Sequence, residues 1–114
     1  MILITGGAGF IGREVTRNLL SKGHQVRLLA RNPEGIKSLF PKAEVVWGDI
    51  TDINSLDKAL DGVDTVIHLA GLISYSKRDK DLLHMVNVEG TRNLLAHCGN
   101  VNRFVFSSSV SVYG

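Results

Sequence analysis

The sequence contains no apolar run near the ~18 residues that a membrane-spanning helix requires. Its opening Met1-Ile2-Leu3-Ile4 breaks into glycines too soon, and lacks the basic start, for a secretory signal. Cysteine is almost absent: Cys98 is the only one, which excludes an internal disulfide and fits a reducing compartment. It has no metal-ligand partner at useful spacing, so it reads as a quiet, half-buried thiol at a helix end. Charge of one sign is missing too. Thirteen Lys and Arg stand against eleven Asp and Glu, a formal +2, and the basic residues are scattered except for Lys77, Arg78 and Lys80. That balance gives no electrostatic basis for binding nucleic acid or membranes, and the small cluster reads as solvated surface. There are no linkers, repeats or low-complexity tracts. The expectation is a soluble, cytoplasmic protein of one small domain, residues 1–114.

What is present is alternation. The composition is 44% apolar, that of a globular core, and short apolar runs alternate with segments of helical period throughout. Such alternation is the signature of βαβ units on a parallel sheet. Residues 2–5 form a first strand, too short for a helix and closed by glycines. Ile11, Val15, Leu19 and Leu20 then mark one face of a helix that Lys22-Gly23 ends. A second strand is expected over 25–30, stopped by Pro33, and a short helix over 34–40. Residues 44–47 give a third strand. Thr51 or Asp52 caps a helix with Ile53, Leu56, Ala59 and Leu60 inward, ended by Gly62. A fourth strand covers 65–69. One long helix is expected over 81–98, with Leu82, Leu83, Val86, Gly90 and Leu94 inward, and a fifth strand over 103–106. With right-handed crossovers these elements give an α/β, doubly wound, Rossmann-type parallel sheet in the order 3-2-1-4-5.

Between the first strand and first helix lies Thr5-Gly6-Gly7-Ala8-Gly9-Phe10-Ile11-Gly12. It fits G-x-x-G-x-x-G from Gly6 and G-x-G-x-x-G from Gly7. In this setting glycines permit a tight turn, close backbone approach to a pyrophosphate, and packing of helix on sheet at Gly12. The helix start offers free N–H groups and a positive dipole end to phosphates. At the end of the second strand, where NAD-preferring proteins carry an acid for the ribose hydroxyls, the chain reads Leu28-Leu29-Ala30-Arg31-Asn32. Arg31 can clamp a 2′-phosphate and stack on adenine. This favours NADP(H), with NAD(H) as the other possibility; the competing reading of Arg31 is a solvated loop cation.

Five motifs in order carry a resemblance: the glycine turn, Gly48-Asp49-Ile50-Thr51-Asp52, Asp64-Thr65-Val66-Ile67-His68-Leu69-Ala70-Gly71, Val86-Asn87-Val88-Glu89-Gly90-Thr91, and the run from Phe104 through Ser107-Ser108-Ser109 to Tyr113-Gly114. Together the chain resembles the N-terminal part of the extended short-chain dehydrogenase/reductases, the NAD-dependent epimerases and dehydratases. The resemblance implies that Gly6, Gly9, Phe10, Ile11 and Gly12 hold the pyrophosphate, and that Asp49 accepts the adenine amino group with Ile50 against the ring. It implies that Leu69, Ala70 and Gly71 line the ribose and pyrophosphate and that Ser107 sits beside the nicotinamide. Ser109 aligns with the catalytic serine that hydrogen-bonds the reacting substrate oxygen. Asn87 would tie neighbouring loops together. His68 reads as a hydrogen-bonded scaffold residue rather than a catalytic one, and Asp49 has a second reading as a helix cap.

The family's acid/base pair, Tyr-x-x-x-Lys, is not in the sequence: Tyr75 has Asp79 four residues on, and Tyr113 belongs to the serine motif. In that pair the lysine and cofactor lower the phenol's pKa from ~10. The chain is therefore expected to bind a dinucleotide without turning over a small-molecule substrate alone, as a truncated product, a fragment or a stand-alone module. An uncovered fifth strand would favour self-association through that edge or through the 81–98 helix. The competing function is a non-catalytic NADP(H)-binding or redox-sensing module.

Overall fold

The computed structural model describes residues 1–69 and 80–106. Five parallel strands form one sheet: β1 (Ile2–Thr5), β2 (Val26–Ala30), β3 (Glu44–Trp47), β4 (Thr65–His68) and β5 (Arg103–Phe106). Their order is β3-β2-β1-β4-β5, as the alternation predicts. β1 is central, with Ile4 in register with Leu28 of β2 and Ile67 of β4. Being covered on both faces, its Leu3 and Ile4 are each 0% exposed, which is why the first strand reads as a continuous apolar run.

The period-2 alternation sends these neighbours into two different cores. On one face α1 (Phe10–Ser21) and α2 (Pro33–Leu39) cover Ile4, Val26 and Leu28, with Val15, Leu19, Leu20 and Ile36 packed against them. On the other face α3 (Ile53–Leu60) and the last helix cover Leu3 and Val66 through Leu56, Ala59 and Leu94. The faces differ because the crossovers run one way from β1 to β3 and the other way from β3 to β5. That reversal opens a crevice at the carboxyl ends of the central strands.

Asp52, one of the two expected caps, holds the start of α3 by accepting the N–H of Asn54 at 3.1 Å. Ile53 departs from the expected inward face: it is 47% exposed. Side chains lean toward a helix's N-terminus, so a first-turn residue points past the end of the buried stripe that Leu56 and Ala59 continue. The other end of α3 is tied down by Arg27 of β2. Its Nη1 donates to the carbonyls of Ala59 and Asp61, both at 2.7 Å, and its Nε to Glu44 Oε2 at 3.1 Å.

The single helix expected over 81–98 is three pieces: α4 (Lys80–His84), a π-helical segment (Met85–Gly90) and α5 (Thr91–Ala96). Periodicity could not show this, because a π turn only adds a residue to one turn. Close packing and a side-chain bond accompany the π segment. Gly90 lies so near Ile50 that a Cβ there would be 2.6 Å from Cδ1, and the Thr91 hydroxyl donates to the Asn87 carbonyl at 2.9 Å. Gly90 and Leu94 are buried and Val86 is half-buried, as expected; the side chains of Leu82 and Leu83 lie outside the described residues. Cys98 is half-buried, donates to the Leu94 carbonyl at 2.9 Å and is pushed up in pKa by burial, in keeping with a quiet thiol.

Candidate functional site

At the carboxyl ends of β1, β2 and β3 lies a cleft of about 480 Å³, floored by the glycine turn and walled by Leu29 to Asn32, Gly48 to Ile50 and Val86. Its shape starts with Gly6, whose φ of 76° lies in the left-handed region. The turn closes with the Gly9 N–H donating to the Gly6 carbonyl at 3.1 Å. Gly12, in the first turn of α1, then lies flat on it: a Cβ there would stand 1.9 Å from the Gly6 carbonyl oxygen. Turn and helix are thereby pressed into one body.

Gly9 is the N-cap of α1 and supplies no side-chain acceptor; the first main-chain bond is from Arg13 N–H to the Gly9 carbonyl at 2.9 Å. Among the described residues, the N–H groups of Phe10, Ile11 and Gly12 have no main-chain acceptor outside the helix. The first turn of α1 also carries no acid. Free donors, a helix dipole and no opposing carboxylate make an anion cradle whose glycine floor admits a phosphate. Arg13 braces it by donating Nε–H to the Ala8 carbonyl at 2.9 Å. Phe10 is 93% and Ile11 58% exposed, and neither is among the residues that line the cleft.

The second wall begins at Ala30, which ends β2 without a carboxylate. Arg31 follows, exposed and lining the cleft. Opposite, the half-buried Asp49 accepts two bonds on the same oxygen: Thr51 N–H at 2.9 Å and Thr51 Oγ–H at 2.8 Å, both to Oδ1. Asp49 lines the cleft, among the described residues its Oδ2 carries no hydrogen bond, and since Asp52 caps α3, the capping alternative for Asp49 does not hold. Ile50 is buried, backed by Gly90, with its carbonyl held by Asn93 Nδ2–H at 3.0 Å. Leu69 extends β4 by donating its N–H to the Thr5 carbonyl at 3.0 Å and packs against the α1-side core, outside the cleft lining. Ala70, Gly71, Ser107 and Ser109 lie outside the described residues.

His68 is 1% exposed, and burial lowers its pKa. Its Nδ1 meets Thr5 Oγ1 and its Nε2 meets Thr91 Oγ1 at 2.8 Å, the scaffold arrangement expected of it. Sequence reasoning missed two parts of the lining. Gly35 and Ile36 of α2 line the cleft, and so does Val86, which the helical period assigned only to the core. A glycine in the first turn of a short helix after Arg31-Asn32 was the available signal for the former. Among the described residues no group of His, Cys, Asp or Glu could hold a metal ion, and no helix is long and apolar enough to cross a membrane.

Known proteins share this arrangement. A 3 beta-hydroxysteroid dehydrogenase/Delta 5-->4-isomerase of Mycobacterium tuberculosis is 42% identical over 97% of this chain, which spans 32% of that protein. A short-chain dehydrogenase/reductase superfamily protein from Agrobacterium tumefaciens, solved with bound NAD, superposes with a TM-score of 0.87 at 42% identity; the match covers 99% of this chain and 34% of that one. MoeE5, solved with UDP-glucose and NAD, gives a TM-score of 0.82 at 32% identity over 99% of this chain and 38% of its own. The chain thus spans about a third of the length of these proteins. Residues 2–114 match the NAD dependent epimerase/dehydratase family, with the glycine turn, sheet order and cleft described above, and the chain belongs to that family.

Proposed function

We propose that this chain is the dinucleotide-binding portion of an epimerase, dehydratase or reductase that uses NADP(H) and acts by hydride transfer on a sugar nucleotide or a ketone/alcohol substrate. The observation that carries the reading is the anion cradle: three free N–H groups at the start of α1, seated on a glycine turn with no room for a side chain at Gly12. The cradle fits a pyrophosphate, and the cleft beyond it fits the adenosine half. Bound there, the dinucleotide supplies or accepts a hydride. The residues of the chain orient it. The N–H groups of Phe10, Ile11 and Gly12 hold the pyrophosphate, Asp49 Oδ2 accepts the adenine amino group, and Ile50 and Val86 offer the ring an apolar wall. In keeping with the family resemblance, Ser107 and Ser109 belong beside the nicotinamide and the substrate oxygen.

The preference for NADP(H) rests on Arg31. It lines the cleft at the end of a strand that lacks the carboxylate suited to free ribose hydroxyls. Titration calorimetry with NADPH and NADH in parallel tests this. Arg31→Ala should weaken NADPH about 10–100-fold, the worth of a charge-assisted bond or two, and leave NADH within about threefold. Equal binding of both by the unaltered chain would reassign the site to NAD, the ligand of the Agrobacterium and MoeE5 structures.

We also propose that the chain self-associates. Met85, Val88 and Leu95 on the last helix are 41–53% exposed, and Val105 and Phe106 on β5 are 44% and 54% exposed. Among the described residues β5 pairs only with β4, leaving an open edge. Sedimentation velocity at micromolar concentration should show a dimer or larger species; a lone monomer peak across the concentration range removes this reading.

A further inference from the structure

The end of β1, the end of β4 and the last helix are joined by a continuous run of side-chain hydrogen bonds: Thr5 Oγ1 to His68 Nδ1, His68 Nε2 to Thr91 Oγ1 at 2.8 Å, and Thr91 Oγ1 to the Asn87 carbonyl at 2.9 Å. The direction of each bond follows from proton counting. A carbonyl only accepts, and a hydroxyl has one hydrogen, so the Thr91 hydrogen goes to Asn87. Thr91 Oγ1 must then accept from His68, which puts the imidazole proton on Nε2. Nδ1 is left as an acceptor, and Thr5 donates to it. The whole run points one way, from the strand that carries the glycine turn to the helix that carries Val86. Burial, which lowers the pKa of His68, favours the neutral ring this direction needs.

The last link falls where the helix is irregular. Thr91 terminates the π segment, and its own N–H goes to the Val88 carbonyl. Its hydroxyl adds a bond to the Asn87 carbonyl, four residues back. Such back-bonding to the fourth preceding residue bends helices. One turn earlier the same segment places Val86 on the cleft, and at its other end Gly90 is seated against Ile50.

We propose that the run from Thr5 through His68 to Thr91 is a lock that holds the π segment in the register seating Val86 on the cleft, and that His68 and Thr91 are positioning residues for the dinucleotide. The second half rests on the dinucleotide reading above; the lock itself does not. It differs from plain scaffolding because it demands one tautomer and one hydroxyl, and bulk does not substitute for either.

Two measurements on the 114-residue chain test it. In ¹⁵N spectra of the imidazoles, His68 should be the Nε2–H tautomer, and a proton on Nδ1 overturns the lock. Thr91→Val keeps shape and removes the hydroxyl, whereas Thr91→Ser keeps the hydroxyl. The valine variant should weaken the better-bound of NADPH and NADH about tenfold, the loss of one buried hydrogen bond, and speed amide exchange across residues 85–91. The serine variant should stay within about twofold on both readouts. Valine and serine variants that behave alike overturn the proposal. If the valine variant fails to fold, the tautomer and the serine variant still decide it. If the unaltered chain binds neither dinucleotide, the functional reading and the positioning role fall, while tautomer and exchange continue to judge the lock.

Discussion

Gly12→Ala should abolish measurable dinucleotide binding and destabilise the fold by about 3 kcal/mol, the upper end of overpacking costs. The added methyl would stand 1.9 Å from the Gly6 carbonyl oxygen, 2.8 Å from its carbonyl carbon and 2.9 Å from Gly7 Cα. All three obstacles are backbone, so no rotamer change makes room. Either α1 lifts off the turn, loosening the contacts of Val15, Leu19 and Leu20 with the sheet, or the turn itself gives way. Both movements displace the free N–H groups of Phe10, Ile11 and Gly12 from a shared focus. Gly7→Ala provides the comparison. There the Cβ meets Leu28 Cδ2 at 2.7 Å, the far end of a side chain, with Thr16 Oγ1 at 3.3 Å. Its cost should be smaller, about 1 kcal/mol. Urea denaturation followed by calorimetric titration measures both effects, and a Gly12→Ala protein with unaltered affinity would falsify the account of the turn as a rigid cradle.

Arg27→Ala should cost about 2–4 kcal/mol of stability, although the residue touches no part of the cleft. Its side chain is 12% exposed, and it donates to two carbonyls at the end of α3 as well as to Glu44. Those carbonyls belong to the negative end of the helix dipole, where a cation is favoured and an unpaired acceptor is costly to bury. The ion pair itself matters little, because Glu44 is 47% exposed. Glu44→Gln should therefore cost under ~1 kcal/mol. Chemical denaturation of the two variants separates the contributions: equal losses would show that the ion pair, and not the carbonyl clamp, holds α3. An Arg27→Lys protein should recover only part of the stability, since one ammonium replaces a forked donor.

Much of this was legible in the sequence because two periods carry it. Runs such as Ile2 to Thr5 and Glu44 to Trp47 are too short and too apolar for helices, and the segments between them repeat at helical spacing. Strand order then follows from handedness. The glycine turn was legible because Gly6, Gly9 and Gly12 stand at the one junction where such spacing has a physical purpose. The π segment was not legible. Leu94, Gly90 and Val86 keep nearly the same face whether the turn holds three or four intervening residues, and the segment is accompanied by the contact of Gly90 on Ile50, which no periodicity shows. That contact is a tertiary fact. For the same reason Val86 was assigned to the core alone. Ile53 was misplaced because a helical pattern treats its first residue like its middle ones, whereas side chains lean back over the preceding turn.

The two walls of the cleft differ in how much change they tolerate. On the α1 side, Gly12 is in contact with backbone and admits no further atom, so the cradle has a single solution and can vary hardly at all. On the α2 side, Arg31 and Asn32 are exposed, and a Cβ at Gly35 would meet nothing within 4 Å. Substitutions accumulate where there is room. Divergence in the choice between two dinucleotides should therefore be written at residues 31, 32 and 35, on a floor that stays constant. A protein engineer wishing to exchange one cofactor for the other would work on three positions at the end of β2 and the start of α2 and leave the rest of the chain untouched.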